Sequence, residues 1–255
     1  MRIRIFLTFS VIDRGGVVRY QAILFDLDGT LLPMHEPTFV KCFYGALIQH
    51  VAIPGVSPRE VGEILQGSLR YVISNDGSCT NRQAFADYYE NYHKATGHLI
   101  RLEDMENFYA TSFDTLVRGS CGFDPSAKIA VEFIKNSNTP MAVATNPFFP
   151  RIATHIRLGW AGLDPADFHD ITVYENSHYC KPNLLYYREL FERIGFDPEQ
   201  CLMVGNNVAE DMIATQLGCD VFLVTRDLIN PNEEDISSFP HGNLEDLINY
   251  LKNSK

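Results

Sequence analysis

Two aspartates stand two residues apart where an apolar run ends, and their types and spacing could do chemistry. Residues 22–25 form the run, Asp26 and Asp28 follow it, and Gly29 comes next. Side chains alternate between the faces of a strand, so the two carboxylates converge only if the backbone turns, and Gly29 supplies that turn. One aspartate can then attack phosphorus while the other handles protons, and oxygen ligands close together also suit Mg²⁺. A plain Asp-Gly turn is the competing interpretation.

Polar residues also follow three later apolar segments. Thr145 and Asn146 provide a hydroxyl and an amide that can hold a phosphate oxygen. Lys181 follows another segment, although a single lysine is normally a solvated charge. Asp211 stands at the start of a predicted helix, where an acid usually interacts with the helix dipole. Each signal is weak alone, but their order along the chain is the order that one catalytic apparatus requires.

Taken together, these residues resemble the four motifs of the haloacid dehalogenase (HAD) superfamily of hydrolases, and the resemblance covers nearly the whole chain. It implies that Asp26 is the nucleophile, that Asp28 is the general acid and base, and that Lys181 stabilises charge. It also implies that the substrate phosphate is bound by Gly29, Thr30, Thr145 and Asn146, and that Mg²⁺ is held by Asp26, the backbone carbonyl of Asp28, Asn206 and Asp211.

One position departs from the family pattern. The fourth motif usually begins Gly-Asp, whereas this chain has Gly205 and Asn206. An asparagine oxygen can ligate Mg²⁺ but brings no charge, so we expect weaker metal affinity. Glu210 or Asp211 could compensate by binding the metal directly. If neither does, the chain is a lapsed enzyme that binds a phosphorylated ligand without hydrolysing it.

Strand and helix alternate from residue 123 onward, which predicts a doubly wound parallel sheet, an α/β and Rossmann-like fold. In such sheets ligands bind at the carboxyl ends of the strands, where all four motifs lie. Beyond residues 22–25, the predicted strands cover residues 141–144, 201–204 and 221–224, and the predicted helices include residues 184–194 and 208–217.

Residues 34–122 show helical periodicity without a strand signal, and two helix starts read as capping boxes, at Ser57 and at Thr80. The resemblance implies that this segment is a mobile cap over the site, which would exclude water from a reactive intermediate. A helical insertion that only adds stability is the alternative. We therefore predict a core domain of residues 17–33 and 123–255 and a cap domain of residues 34–122.

The composition fits an ordinary soluble enzyme. A net charge of −11 disfavours a nucleic-acid partner, and no stretch is long and apolar enough to span a membrane. The six cysteines show no C-x-x-C spacing, so reduced thiols and a cytoplasmic location are expected. Residues 1–16 do not fit the remaining pattern, and we interpret them as a leader translated from upstream of the true start or as an added edge strand.

The sequence therefore predicts a magnesium-dependent phosphatase that hydrolyses a small phosphorylated metabolite through an aspartyl-phosphate. A sugar phosphomutase would share the scaffold and differ in the cap. A dehalogenase would not need a proton donor at Asp28. A phosphonate hydrolase of this family would need a Schiff-base lysine in the cap, where Lys41 and Lys94 lack a recognisable context.

Overall fold

The computed structural model describes residues 18–253, which contain a six-stranded parallel sheet. The extension predicted over residues 1–16 lies outside the described residues. In chain order the strands are β1 (Ala22–Phe25), β2 (Met141–Val143), β3 (Asp170–Ile171), β4 (Cys201–Gly205), β5 (Asp220–Val224) and β6 (His241–Gly242). Their spatial order is β3-β2-β1-β4-β5-β6, and each neighbouring pair is parallel. The predicted α/β fold with a doubly wound parallel sheet is confirmed.

The centre of the sheet is β1, where Leu24 lies opposite Ala142 of β2 and Met203 of β4. The chain continues to β2 and β3 on one side of β1 and to β4, β5 and β6 on the other. A reversal of this kind opens a crevice at the carboxyl ends of the strands, where ligands bind in open α/β sheets. The polar residues that follow β1, β2 and β4 therefore share one edge.

Both faces of the sheet are covered, which explains why β1 and β4 are continuous apolar runs. The helices that cover it are α6 (Pro125–Asn136), α7 (Arg151–Trp160), α8 (Leu184–Ile194) and α9 (Leu244–Asn253). On one face Ile23 and Phe25 pack in a cluster with α6 and α9, and on the other face Leu24 packs with α8. The predicted helix over residues 184–194 is confirmed.

Five helices lie between β1 and α6. They are α1 (Glu36–His50), α2 (Pro58–Ile73), α3 (Asn81–Thr96), α4 (Leu102–Thr111) and α5 (Phe113–Val117). The capping box predicted at Ser57 is present with both of its hydrogen bonds. At Thr80 the hydroxyl accepts a hydrogen bond from the Gln83 N–H, but the Gln83 side chain bonds Asp87, so this capping box has one of its two bonds only. We refer to these five helices as the cap helices. Their division into a separate cap domain over residues 34–122 stays a prediction.

The α-helix expected over residues 208–217 is wrong, because a turn and a 3₁₀ helix (Met212–Leu217) replace it. Asn207 Oδ1 accepts hydrogen bonds from the backbone N–H groups of Ala209 and Glu210, and Asp211 Oδ2 accepts one from the N–H of Asn207. The Asn207 bonds cap the first turn as they would in an α-helix, so the departure begins after this turn, where the Asp211 carboxylate folds back onto the Asn207 N–H and the next backbone bond is of the 3₁₀ type. The segment consequently curls around Asp211.

Candidate active site

The four groups of polar residues meet at the carboxyl edge of the sheet. Asp26 follows β1, Thr145 follows β2, Lys181 precedes α8, and Asn206 and Asp211 follow β4. All five are buried, with at most 8% of each residue exposed. Asp26, Asp28, Thr145, Asn146, Asn206 and Asp211 line one cavity of about 280 Å³. The structure therefore brings the predicted site residues together.

Lys181 lies between two carboxylates. Its Nζ donates to Asp26 Oδ1 at 3.0 Å and to Asp211 Oδ1 at 2.6 Å, and the residue is 2% exposed. Burial alone would lower the pKa of Lys181, but the charges of Asp211 and Asp26 outweigh it and hold the pKa well above its usual range. The alternative of a solvated lysine is wrong, since this ammonium is a buried cation at the centre of the site.

Asp211 is held against the backbone of β4. Burial raises the pKa of its carboxyl to about 7, although Lys181 acts in the opposite direction. Gly205 permits the close approach, because a Cβ at that position would lie 2.2 Å from Asp211 Oδ2. Any side chain at residue 205 would displace this carboxylate from Lys181.

Asn206 uses both ends of its amide. Its Oδ1 accepts from Thr30 Oγ1 at 3.1 Å, and its Nδ2 donates to the backbone carbonyl of Asp227 at 2.6 Å. Gly29 has a φ of +84°, which confirms the predicted turn, and a Cβ there would lie 2.2 Å from Asn206 Nδ2. The Thr30 hydroxyl also lies 3.4 Å from Asp26 Oδ2. Gly29 and Thr30 thus fix the end of β1 against Asn206.

Asp28 is paired with Arg157, a residue that the sequence analysis missed. Arg157 lies on α7, is fully buried, donates to Asp28 Oδ2, and places its guanidinium 4.2 Å from the centre of the Phe149 ring. The signal was available, because Arg157 falls one turn after Ala153 and Thr154 on the buried face of an amphipathic helix. An arginine on such a face requires a buried partner, and here that partner is Asp28.

The environment of Asp28 suits a group that gains and loses a proton. Burial raises the pKa of Asp28, Arg157 lowers it, and the charge of Asp26 raises it again, so that the pKa lies above its usual value. The second oxygen, Oδ1, is buried and has no hydrogen-bond partner among the described residues. One oxygen of Asp28 is therefore held by Arg157 while the other is left for a proton.

Thr145 and Asn146 have different surroundings. The Thr145 carbonyl accepts from Thr172 Oγ1 and Tyr186 Oη, while its own hydroxyl makes no hydrogen bond within the described chain. Asn146 Oδ1 accepts from the Lys181 N–H at 3.2 Å, and its Nδ2 donates to Glu210 Oε2 at 3.1 Å. The Thr145 hydroxyl is available to a ligand, whereas Asn146 connects the neighbouring motifs.

The donor set fits Mg²⁺ only with neutral ligands included. Across residues 18–253, no group of three or more His, Cys, Asp or Glu side chains is arranged to hold a metal ion. Asp26, Asp211 and the Asn206 oxygen are nevertheless hard donors of the kind that Mg²⁺ prefers. When all are ionised, the four carboxylates of Asp26, Asp28, Glu210 and Asp211 exceed Lys181 and Arg157 by two negative charges. This excess favours a divalent cation.

We expect Asn206→Asp to lower the stability of the metal-free protein. The substitution removes the donor to the Asp227 carbonyl and places a carboxylate oxygen against it, which should cost about 1–3 kcal/mol. Thermal unfolding with and without Mg²⁺ measures the effect, and Mg²⁺ should restore more stability to the variant than to the wild type. Asn91→Asp, at an exposed position on α3, is the matched control. An unchanged melting temperature without Mg²⁺ would contradict this account of Asn206.

Comparison with known proteins agrees with this geometry. A family model described as haloacid dehalogenase-like hydrolase matches residues 20–218. Among solved structures, a HAD phosphatase from Thermococcus onnurineus is 18% identical, with a TM-score of 0.55 over 90% of this chain and 97% of that one. YfnB from Bacillus subtilis, a proposed HAD hydrolase solved bound to magnesium, is 22% identical, with a TM-score of 0.54 over 91% and 99% of the two chains.

A proposed β-phosphoglucomutase from Thermotoga maritima is 18% identical, with a TM-score of 0.55 over 92% of this chain and 99% of that one. At these identities the structural matches show the fold alone. No curated protein sequence matches the chain significantly. No helix within residues 18–253 combines the length and the apolar character needed to cross a membrane. Because the family model covers most of its length, the chain belongs to the haloacid dehalogenase-like hydrolases.

Proposed function

We propose that this chain is a magnesium-dependent phosphatase that hydrolyses a small organic phosphate monoester through an aspartyl-phosphate. One observation carries the proposal: the two carboxylates at the end of β1 have different cationic partners. Asp26 is bonded to Lys181, and Asp28 is bonded to Arg157. Two neighbouring carboxylates in distinct environments can take distinct roles, one as nucleophile and one as proton carrier.

In the first step an oxygen of Asp26 attacks phosphorus, and the bond from phosphorus to the alcohol oxygen breaks. Asp28 gives its proton to that oxygen, so that a neutral alcohol leaves. In the second step water attacks the phosphorus of the aspartyl-phosphate while Asp28 takes a proton from the water. The bond from phosphorus to the Asp26 oxygen breaks, which releases inorganic phosphate and restores the Asp26 carboxylate. The Thr145 hydroxyl lines the cavity, where it could donate to a phosphoryl oxygen as charge develops on it. The Lys181 ammonium lies behind Asp26 and Asp211 and would stabilise that charge through its electric field.

Mg²⁺, when bound, would screen the charge of Asp26 from that of the phosphate, and the groups available to hold it are the Asp26 and Asp211 carboxylates, the Asn206 oxygen and the Asp28 carbonyl. The residues of the chain would position the groups around the metal. Lys181 orients Asp26 and Asp211 through one ammonium, and Thr30 positions Asn206 beside them.

Asp28 supports phosphate ester hydrolysis over dehalogenation. A departing halide is a stable anion and needs no proton, whereas an alkoxide does. A carboxyl whose pKa is raised by burial and whose free oxygen faces no other partner is suited to supply that proton. The ion pair of Arg157 with Asp28 would therefore hold a proton donor that a phosphatase needs and a dehalogenase does not.

Asn206 favours a second candidate, a protein that binds a phosphorylated ligand without turnover. Its amide satisfies Thr30 and Asp227 at the same time, so a neutral residue fits this position and an acid would not. The two candidates share the phosphate-binding groups and differ in metal-dependent turnover.

Hydrolysis of an aryl phosphate with and without Mg²⁺ tests the proposal. We expect the wild type to turn over only with the metal, and we expect Asp26→Asn to lower kcat by about 10⁴-fold, as loss of a covalent nucleophile does. Mass spectrometry of the acid-quenched wild type should show phosphate on Asp26. The exposed Asp104, changed to Asn, is the matched control. Phosphate binding without turnover, by both wild type and Asp26→Asn, would favour the second candidate.

Arg157→Gln should shift the pH dependence of turnover. Loss of the guanidinium removes the main effect that opposes burial and leaves only the weaker influence of Lys181, so the pKa of Asp28 rises further and the protonated acid persists to higher pH. The basic limb of the kcat/KM profile should therefore move to higher pH, and kcat should fall by about 10²–10⁴-fold.

Arg193→Gln is the matched control, since Arg193 also forms a partly buried ion pair, with Asp170 at the sheet edge. It should lower stability and leave the pH profile unchanged. A purely structural Arg157 would behave like Arg193, with a lower melting temperature and no movement of either limb.

A further inference from the structure

The cavity that holds the motif residues continues from the sheet edge into the cap helices, where its wall is apolar. Its volume is about 280 Å³, which corresponds to about nine groups of the size of water. A phosphate group fills only the part next to Asp26. The remainder is walled by side chains that include Phe39, Phe43, Leu47, Leu65, Leu69 and Phe85.

The apolar wall begins next to the residue that handles protons. Phe149 lies against the Arg157 guanidinium, and its ring centre is 5.4 Å from that of Phe43 and 6.0 Å from that of Tyr109. Arg157 is bonded to Asp28, which must protonate the departing oxygen under the proposed mechanism. An alcohol that takes its proton from Asp28 would therefore leave next to this group of aromatic rings.

The wall offers no positive charge to a second anionic group. Among the described residues that line the cavity there is no Lys, Arg or His, and the ionisable side chains apart from tyrosines are carboxylates. Glu36 and Glu210 lie there in addition to the aspartates of the motifs. A carboxylate or a second phosphate on the alcohol would be buried without a cationic partner, which is strongly unfavourable.

Several polar side chains that line this part of the cavity are satisfied within the chain. Ser68 Oγ donates to the Leu65 carbonyl at 2.7 Å and is bonded to Tyr89 Oη at 2.7 Å, and Tyr174 Oη donates to Glu106 at 2.7 Å. Tyr44 and Tyr109 differ, because both line the cavity and neither hydroxyl makes a hydrogen bond to a described residue. These hydroxyls and the carboxylates of the lining can pair with a few polar groups of a ligand, whereas a polyol with more hydroxyls than these groups can reach would leave some of them unpaired.

We infer that the substrate is the phosphate monoester of an uncharged, mainly apolar alcohol, with an alkyl or aryl group of roughly six carbon atoms in the space left beside the phosphate. This inference rests on the proposed phosphatase function. The cap helices would then select the substrate by burying its hydrocarbon group. Sugar phosphates, phosphorylated carboxylic acids and nucleotides would be poor substrates.

Turnover of ethyl, butyl and hexyl phosphate tests the inference. The leaving alcohols are chemically alike, so differences in kcat/KM report burial of the chain. Each added methylene should raise kcat/KM by about fourfold, which is the worth of one buried CH₂. Two matched pairs test polarity and charge: propyl phosphate should exceed glycerol 3-phosphate, and ethyl phosphate should exceed phosphoglycolate. A flat series, or preference for the polar member of either pair, would overturn the inference.

Binding separates this inference from the proposed function. Ethylphosphonate and hexylphosphonate carry no ester bond, and calorimetry with the wild-type protein and Mg²⁺ measures their affinity without turnover. Tighter binding of hexylphosphonate supports an apolar subsite even if no monoester is hydrolysed, in which case only the phosphatase function fails. Equal affinities would overturn the inference while leaving any observed hydrolysis intact.

A charge placed in the wall provides the structural control. Leu69→Glu adds a carboxylate to the cavity at a partly buried position, and it should abolish the preference for hexyl over ethyl phosphate. Leu116→Glu introduces the same change on α5 at a residue that is 53% exposed and does not line the cavity, so the preference should remain. Circular dichroism establishes that both variants fold. Retention of the full preference by folded Leu69→Glu would contradict the assignment of the subsite.

Discussion

The site depends on one buried cation, the Lys181 ammonium between Asp26 and Asp211. Removal of one partner of such a buried pair typically costs about 3–5 kcal/mol, because the remaining charge is left without compensation. The three residues come from three distant parts of the chain, and they meet because β1 lies between β2 and β4 at the point where the strand order reverses. The sheet topology therefore brings the three charged groups together, and their ion pairs stabilise the packing of these segments.

A second buried pair, Asp28 with Arg157, gives the site its asymmetry. Arg157 contacts a carboxylate on one side and the Phe149 ring on the other, so it joins the polar edge of the sheet to the aromatic interior of the cap helices. Charges that face an apolar, water-poor cavity interact more strongly than they would in water. The same aromatic wall thus strengthens the electrostatics of the site and limits which alcohols could enter it.

The sequence predicts the four longer strands and the motif positions well, because these depend on local patterns, whereas the two-residue strands β3 and β6 leave too short a pattern. A continuous apolar run gives β1, and Asn183 and Gly195 bound α8. The pairing of Asp28 with Arg157 was missed because the two residues are 129 positions apart. The helical periodicity indicates that Arg157 is buried but does not indicate which residue it contacts. The helix expected from residue 208 is wrong although Asn207 caps its first turn; after Asp211, whose carboxylate bonds the Asn207 N–H and the distant Lys181, the chain continues as a 3₁₀ helix.

Asn206 connects these constraints to the proposed chemistry. An acid at this position would add a third carboxylate beside Asp26 and Asp211, where Lys181 is already shared between two. In a low-dielectric cavity each further negative charge strengthens the hold on a divalent cation and also repels a phosphate dianion. A neutral amide gives up part of the metal affinity and lessens that repulsion. If the substrate is a monoester of an apolar alcohol, burial of its hydrocarbon supplies binding energy that the weaker metal site does not provide.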